Sequence, residues 1–130
     1  MNSFHLKTTF SNAIELYQIT LTQREVSYYF QYQQKVLQVL GWVETNPEWL
    51  FEILRCFLKT GYVHPYNQKQ VLKTAIQVYY GSRANLSYQV SDEELLKQIV
   101  ACYKELSGMG IETLGDRVSD RFKNQKVSYE

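Results

Sequence analysis

Helix start signals constrain this chain more than any other feature. A Ser or Thr followed three residues later by Glu satisfies two of the backbone N–H groups that a helix start leaves without partners. The pattern occurs three times: Thr22 to Glu25, Thr45 to Glu48, and Ser91 to Glu94. In the second, Pro47 falls in the first turn, where its missing N–H costs nothing. Each box opens a run whose apolar residues recur with a 3.6-residue period. Three such starts argue for consecutive helices.

The periodic runs predict helices over roughly 4–17, 23–40, 47–60, from 65 or 68 to 80, 92–107 and 111–123. Leu6, Phe10, Ile14 and Tyr17 share a face of the first. Val26, Tyr29, Phe30, Leu37 and Leu40 form the stripe of the second, which "QYQQK" interrupts. Leu50, Ile53, Leu54, Phe57 and Leu58 line the third, and Val71, Leu72, Ala75, Ile76 and Tyr79 the fourth. The fifth carries Leu95, Leu96, Ile99 and Tyr103, with Glu93 and Lys97 spaced to pair. The sixth has a narrower stripe of Ile111, Leu114, Val118 and Phe122. Gly41, Gly61, Gly81 and "GMG" at 108–110 read as stops. "YQITLT" and "YVHPY" alternate too briefly for strands and have no hairpin partner. The expected fold is all-α, a single-domain bundle of five to six helices spanning 1–130, with 1–3 and 124–130 frayed.

A chain of 130 residues is long enough to bury a core without disulfides. Its two cysteines, Cys56 and Cys102, lie on apolar runs and read as buried free thiols. No apolar stretch reaches the roughly 18 residues a membrane span needs, and no leader pattern opens the chain. The expected setting is the cytoplasm, with no membrane partner. Nucleotide-binding, metalloprotease and nucleophile-elbow motifs are absent. His5 and His64 are far apart, so no metal site, cofactor or catalytic residue is assigned. Glu112, Asp116 and Asp120 share a helix face, which reads as solvated, with Asp120 spaced to reach Arg117. Trp49 reads as packed, whereas Trp42 follows a stop glycine and is open to an aromatic contact.

Charge is unevenly spread. Residues 1–52 hold three basic and five acidic groups, and residues 92–130 hold six basic and eight acidic. Residues 53–91 hold Arg55, Lys59, Lys69, Lys73 and Arg83 and no acid. Lys69 and Lys73 lie one turn apart on the fourth helix, with Tyr62, Tyr66, Tyr80 and Tyr88 nearby in sequence. Cations interleaved with aromatic rings suit an anionic ligand that also stacks. The candidate anion-binding set is therefore Lys69, Lys73, Arg83, Lys59 and His64, with Tyr62, Tyr66 and Trp42 as aromatic contacts. The competing expectation is that acids at 44–52 and 91–94 neutralise the segment after folding. His64 itself is placed by the turn that its following proline demands.

Over roughly residues 21–114 the chain resembles an uncharacterised family of small proteins in Gram-positive bacteria, a domain of unknown function. "LTQRE" at 21–25, "GWVE" at 41–44, "ILRCFLKTGYV" at 53–63, "VYY" at 78–80 and "VSDEELLKQIVACY" at 90–103 carry the resemblance. It implies an all-helical cytoplasmic bacterial protein and brings no activity or site. The chain departs from the family pattern at Trp42, where an arginine is usual, and at Tyr79, where a phenylalanine is usual.

These features favour a soluble helical protein that acts without catalysis, through contacts with another protein or with itself as a homo-oligomer. Eleven tyrosines, each with an apolar ring and a polar tip, suit such surfaces. The alternative is binding of nucleic acid or another polyanion through residues 53–91. A third reading is a small-ligand pocket between helices.

Overall fold

Six α-helices and one 3-10 turn follow one another in the computed structural model, which describes residues 3–42, 48–86 and 90–127, with side chains over 9–42, 48–86 and 90–123. The helices are α1 Ser3–Leu16, α2 Gln23–Val39, α3 Glu48–Leu58, α4 Gln68–Asn85, α5 Asp92–Glu105 and α6 Leu114–Val127. The turn, Ile111–Thr113, leads directly into α6. No strand occurs among the described residues, and the all-α expectation holds.

Thr22 closes a full capping box. Its Oγ1 accepts from Glu25 N at 3.1 Å, and Glu25 Oε1 accepts from Thr22 N at 3.0 Å. Ser91 supplies only half of one: its Oγ accepts from Glu94 N at 3.1 Å, while the Glu94 carboxylate takes Gln98 Nε2 at 2.8 Å. The Glu93–Lys97 pair does not form among the described residues; Glu94 and Gln98 link instead. Thr45, the start of the third box, lies outside the described residues, as do Glu44 and Pro47.

Gly41 and Gly61 end α2 and α3 as predicted, with φ of 76° and 84°. Gly81 does not end α4, and this corrects the sequence reading. The helix runs on to Asn85, one turn further. Two contacts hold that added turn: Arg83 NH2 donates to Val90 O at 2.7 Å, and Asn85 Nδ2 donates to Gly81 O at 2.9 Å.

One continuous core joins the helices. The α3 stripe of Leu50, Ile53, Leu54 and Phe57 is fully buried, as are Leu72, Ala75 and Ile76 of α4 and Leu95, Ile99 and Tyr103 of α5. Each such large side chain contributes roughly 1.5–3 kcal/mol by leaving water. α4 is the hub and packs on α2, α3, α5 and α6. Lys69 Nζ stands over the Tyr28 ring and Lys73 Nζ over the Tyr32 ring. Both contacts advance four residues on each helix, so α2 and α4 run parallel, with α3 returning the chain between them.

Candidate functional site

The α2–α4 seam holds Lys69 and Lys73, two of the cations in the sequence's candidate set. Lys69 Nζ lies 5.0 Å from the Tyr28 ring centroid and Lys73 Nζ 4.6 Å from that of Tyr32. Tyr28 and Tyr32 are one turn apart, as are the two lysines, so the contacts form a two-rung ladder. An exposed cation over a ring face gains about 0.5–1 kcal/mol. Neither lysine has a carboxylate within ion-pair distance among the described residues.

Polar groups continue beneath the ladder. Tyr29 OH donates to Gln68 Oε1 at 3.2 Å, and Gln33 Nε2 donates to Tyr80 OH at 2.5 Å. Gln33 is fully buried. Its position completes the α2 stripe with Val26, Tyr29 and Leu37. Burial pushes the Tyr29 phenol up to about 12, with the nearby Glu25 carboxylate adding to the shift.

The remaining sequence candidates are dispersed. Arg83 turns inward, where its Nε sits 3.2 Å from Asp92 Oδ1. That nitrogen lies off hydrogen-bonding geometry, so the contact is an ion pair only. Tyr79 OH donates to the same oxygen at 2.9 Å, and burial followed by this bond raises the Tyr79 phenol. Arg55 pairs with Glu52 at 2.6 Å. Acids flanking the basic segment thus pair with Arg55 and Arg83, two of its five cations. Lys59 lies beyond the end of α3, where its charge and that of Lys104 act on the Cys56 thiol.

Tyr62 is a packing residue. Its ring meets Tyr103 edge-on at 6.0 Å, and its Cβ fills the space beside Gly108. His64 stacks on Tyr66 at 5.4 Å between centroids, and Tyr66 is 86% exposed. The turn holding them is fixed by Asn67, whose Oδ1 accepts from His64 N at 2.6 Å and whose Nδ2 donates to Tyr62 O at 3.0 Å. Trp42 meets Tyr80 edge-on at 6.5 Å, and Trp49 packs on Tyr79 at 5.6 Å. Tyr88 and the His5 side chain lie outside the described residues.

Surface hollows accompany the ladder. A groove of about 330 Å³ between α2 and α4 is lined by Tyr32, Lys35, Val36, Val39, Gln77 and Gly81. A second, of about 520 Å³, lies between α4 and α6 and shares Gln77 and Gly81 with the first. A cleft of about 580 Å³ between α3 and α5 is lined by Trp49, Cys56, Lys97 and Lys104 and by the paired Glu52 and Arg55. Burial raises both the Cys56 and Cys102 thiols above their ordinary value, which disfavours the thiolates.

No three His, Cys, Asp or Glu side chains gather as a metal site among the described residues. Arg117 and Arg121 both reach Glu105 of α5, and Arg121 also donates to Gln98 Oε1 at 2.9 Å. Arg117 therefore does not pair with Asp120 as its spacing suggested.

Residues 8–130 match the family of unknown function DUF6323. The chain belongs to that family. The match covers the stretch on which the sequence resemblance rested and extends over most of α1 and all of α6 at either side. No curated protein and no solved structure matches the chain. No helix among the described residues is long and apolar enough to cross a membrane.

Proposed function

We propose that the protein acts without catalysis, through contact with a protein surface, and that the side formed by α2, α4 and α6 is its contact face. One observation carries this reading. Val39 is 88% exposed at the edge of the α2–α4 groove, beside half-buried Val36 and Leu40. Together the three form one apolar strip along a recess, and contiguous exposed apolar surface is what protein contacts use. We place the protein in a bacterial cytoplasm, the setting its resemblance to Gram-positive proteins implies.

The reading is tested in extract of the producing cell. The protein should elute well above its 15.4 kDa mass, and Val39→Asp should return it to that mass. Elution of both at the single-chain mass sinks the reading.

A second reading has its own observation. Lys69 and Lys73 keep their charges unpaired by carboxylates among the described residues, beside two tyrosine rings. Phosphates could draw these lysines from the rings at little cost, because each contact with a ring is weak. Retention of mixed DNA and RNA should then fall with added salt, and fall again in Lys69→Gln/Lys73→Gln. Binding that ignores salt, or none, removes this alternative.

A further inference from the structure

We infer that the contact face pairs with a second copy of this chain, about a two-fold axis running along α4. The inference rests on the protein-contact reading and names its partner. It starts from a trough. α4 lies between α2 and α6, and the grooves on its two sides share Gln77 and Gly81. The two grooves therefore adjoin along α4, with exposed Gln77 between them, and together they make one broad trough.

The walls of the trough differ in charge. The α2 wall carries Lys35 and no acid. The α6 wall carries Asp116 and Asp120, with Lys123 at its end. Among the described residues, Lys35, Asp116 and Asp120 have no ion-pair partner within the chain. Tyr32 meets Lys73 and Gly115 lies beside Val78, which sets Lys35 and Asp116 within about one helical turn of each other along α4.

A two-fold axis along α4 lays the α2 wall of each copy over the α6 wall of the other. Lys35 then faces Asp116 of the other copy, and symmetry repeats the pair. An axis across α4 would instead set Lys35 against Lys35 and Asp116 against Asp116. Exposed ion pairs add little affinity, but like charges in apposition reject an orientation strongly. Charge therefore selects the axis, and apolar burial supplies the attraction.

The apolar parts match in the same arrangement. Val39 projects from the α2 wall. The opposing α4–α6 groove of about 520 Å³ has Val78, Leu86, Val118 and Phe122 in its floor. Gly81 keeps the centre open, since a Cβ placed there meets nothing within 4 Å.

The test uses the purified full chain, weighed by sedimentation equilibrium. Wild type should approach twice 15.4 kDa as its concentration rises. Lys35→Glu alone and Asp116→Lys alone should each remain at the single-chain mass. An equimolar mixture of the two should regain the double mass, because each new charge meets its opposite across the axis. An unfolded variant cannot give that rescue. Gly81→Trp, whose Cβ has open space and whose ring would occupy the trough, should be single-chain while still melting as a folded protein.

A wild type that stays single at its highest soluble concentration overturns the inference, as does a mixture that fails to associate. If purified protein is single while the extract complex remains sensitive to Val39→Asp, self-pairing falls and the protein-contact reading stands. If the extract complex is also missing, both fall.

Discussion

The Gln33 side chain donates a 2.5 Å hydrogen bond to the Tyr80 hydroxyl inside the α2–α4 seam, where neither group meets bulk water. Each satisfies the other across 47 residues of sequence. Removing one partner leaves the other buried and short of a bond, which costs about 1–3 kcal/mol. Tyr80→Phe should lose that much in urea unfolding. Gln33→Leu with Tyr80→Phe should lose less than the two single losses added together. Strict additivity would show that the bond has no energetic weight.

The ladder makes a smaller claim. A double-mutant cycle on Tyr32→Leu and Lys73→Met should return a coupling of about 0.5–1 kcal/mol. The coupling should shrink as salt is added, because the attraction is electrostatic. A cycle that closes at zero would mean that Lys73 merely rests near the ring.

Two glycines should respond in opposite directions. Gly81 has helical backbone and open space, so Gly81→Ala should stabilise by about 0.5–1 kcal/mol and raise the melting temperature by a few degrees. Gly108 has φ of 75°, and an added Cβ would lie 2.6 Å from the Cβ of Tyr62. Gly108→Ala should cost about 1–3 kcal/mol. Thermal melts of the two variants, read side by side, check both signs.

Alkaline pH should loosen the α2–α4 seam. The folded Tyr29 phenol lies at about 12 against an ordinary 10.0, through burial first and Glu25 second. The folded state therefore holds its proton over a range where the unfolded chain has released it. Stability is whole below pH 10 and falls as pH rises toward 12. Burial and the bond to Asp92 raise Tyr79 in the same direction. Melting temperature should drop through this window, and drop less in Tyr29→Phe. An equal drop in both would clear Tyr29 of the effect.

The start signals at Thr22 and Ser91 were legible because capping is local chemistry within four residues. Gly41 and Gly61 were legible as stops for the same reason. Gly81 was misleading because the bonds that carry α4 past it come from Arg83 to Val90, beyond the point where the periodic pattern ends. Gln33 appeared to interrupt a stripe that it completes, because the hydroxyl that makes its burial tolerable lies on another helix. The unpaired lysines were visible, but their rings were not. Tyr62 and Tyr66 stood nearer in sequence, while Tyr28 and Tyr32 stand nearer in space. The matching one-turn spacing of Tyr28 with Tyr32 and Lys69 with Lys73 was the available clue. Reading it required knowing that the two helices run parallel.

That parallel pairing also sets a timetable. A ribosome adds about 5–20 residues each second, so Gln33 is made roughly 2–10 s before Tyr80, which lies 47 positions later. Until then the amide belongs to water, and it divides the apolar strip of α2 where Val26, Tyr29 and Leu37 would otherwise run unbroken. The nascent helix thus offers neighbouring nascent chains a broken surface during the interval when its own partner does not yet exist.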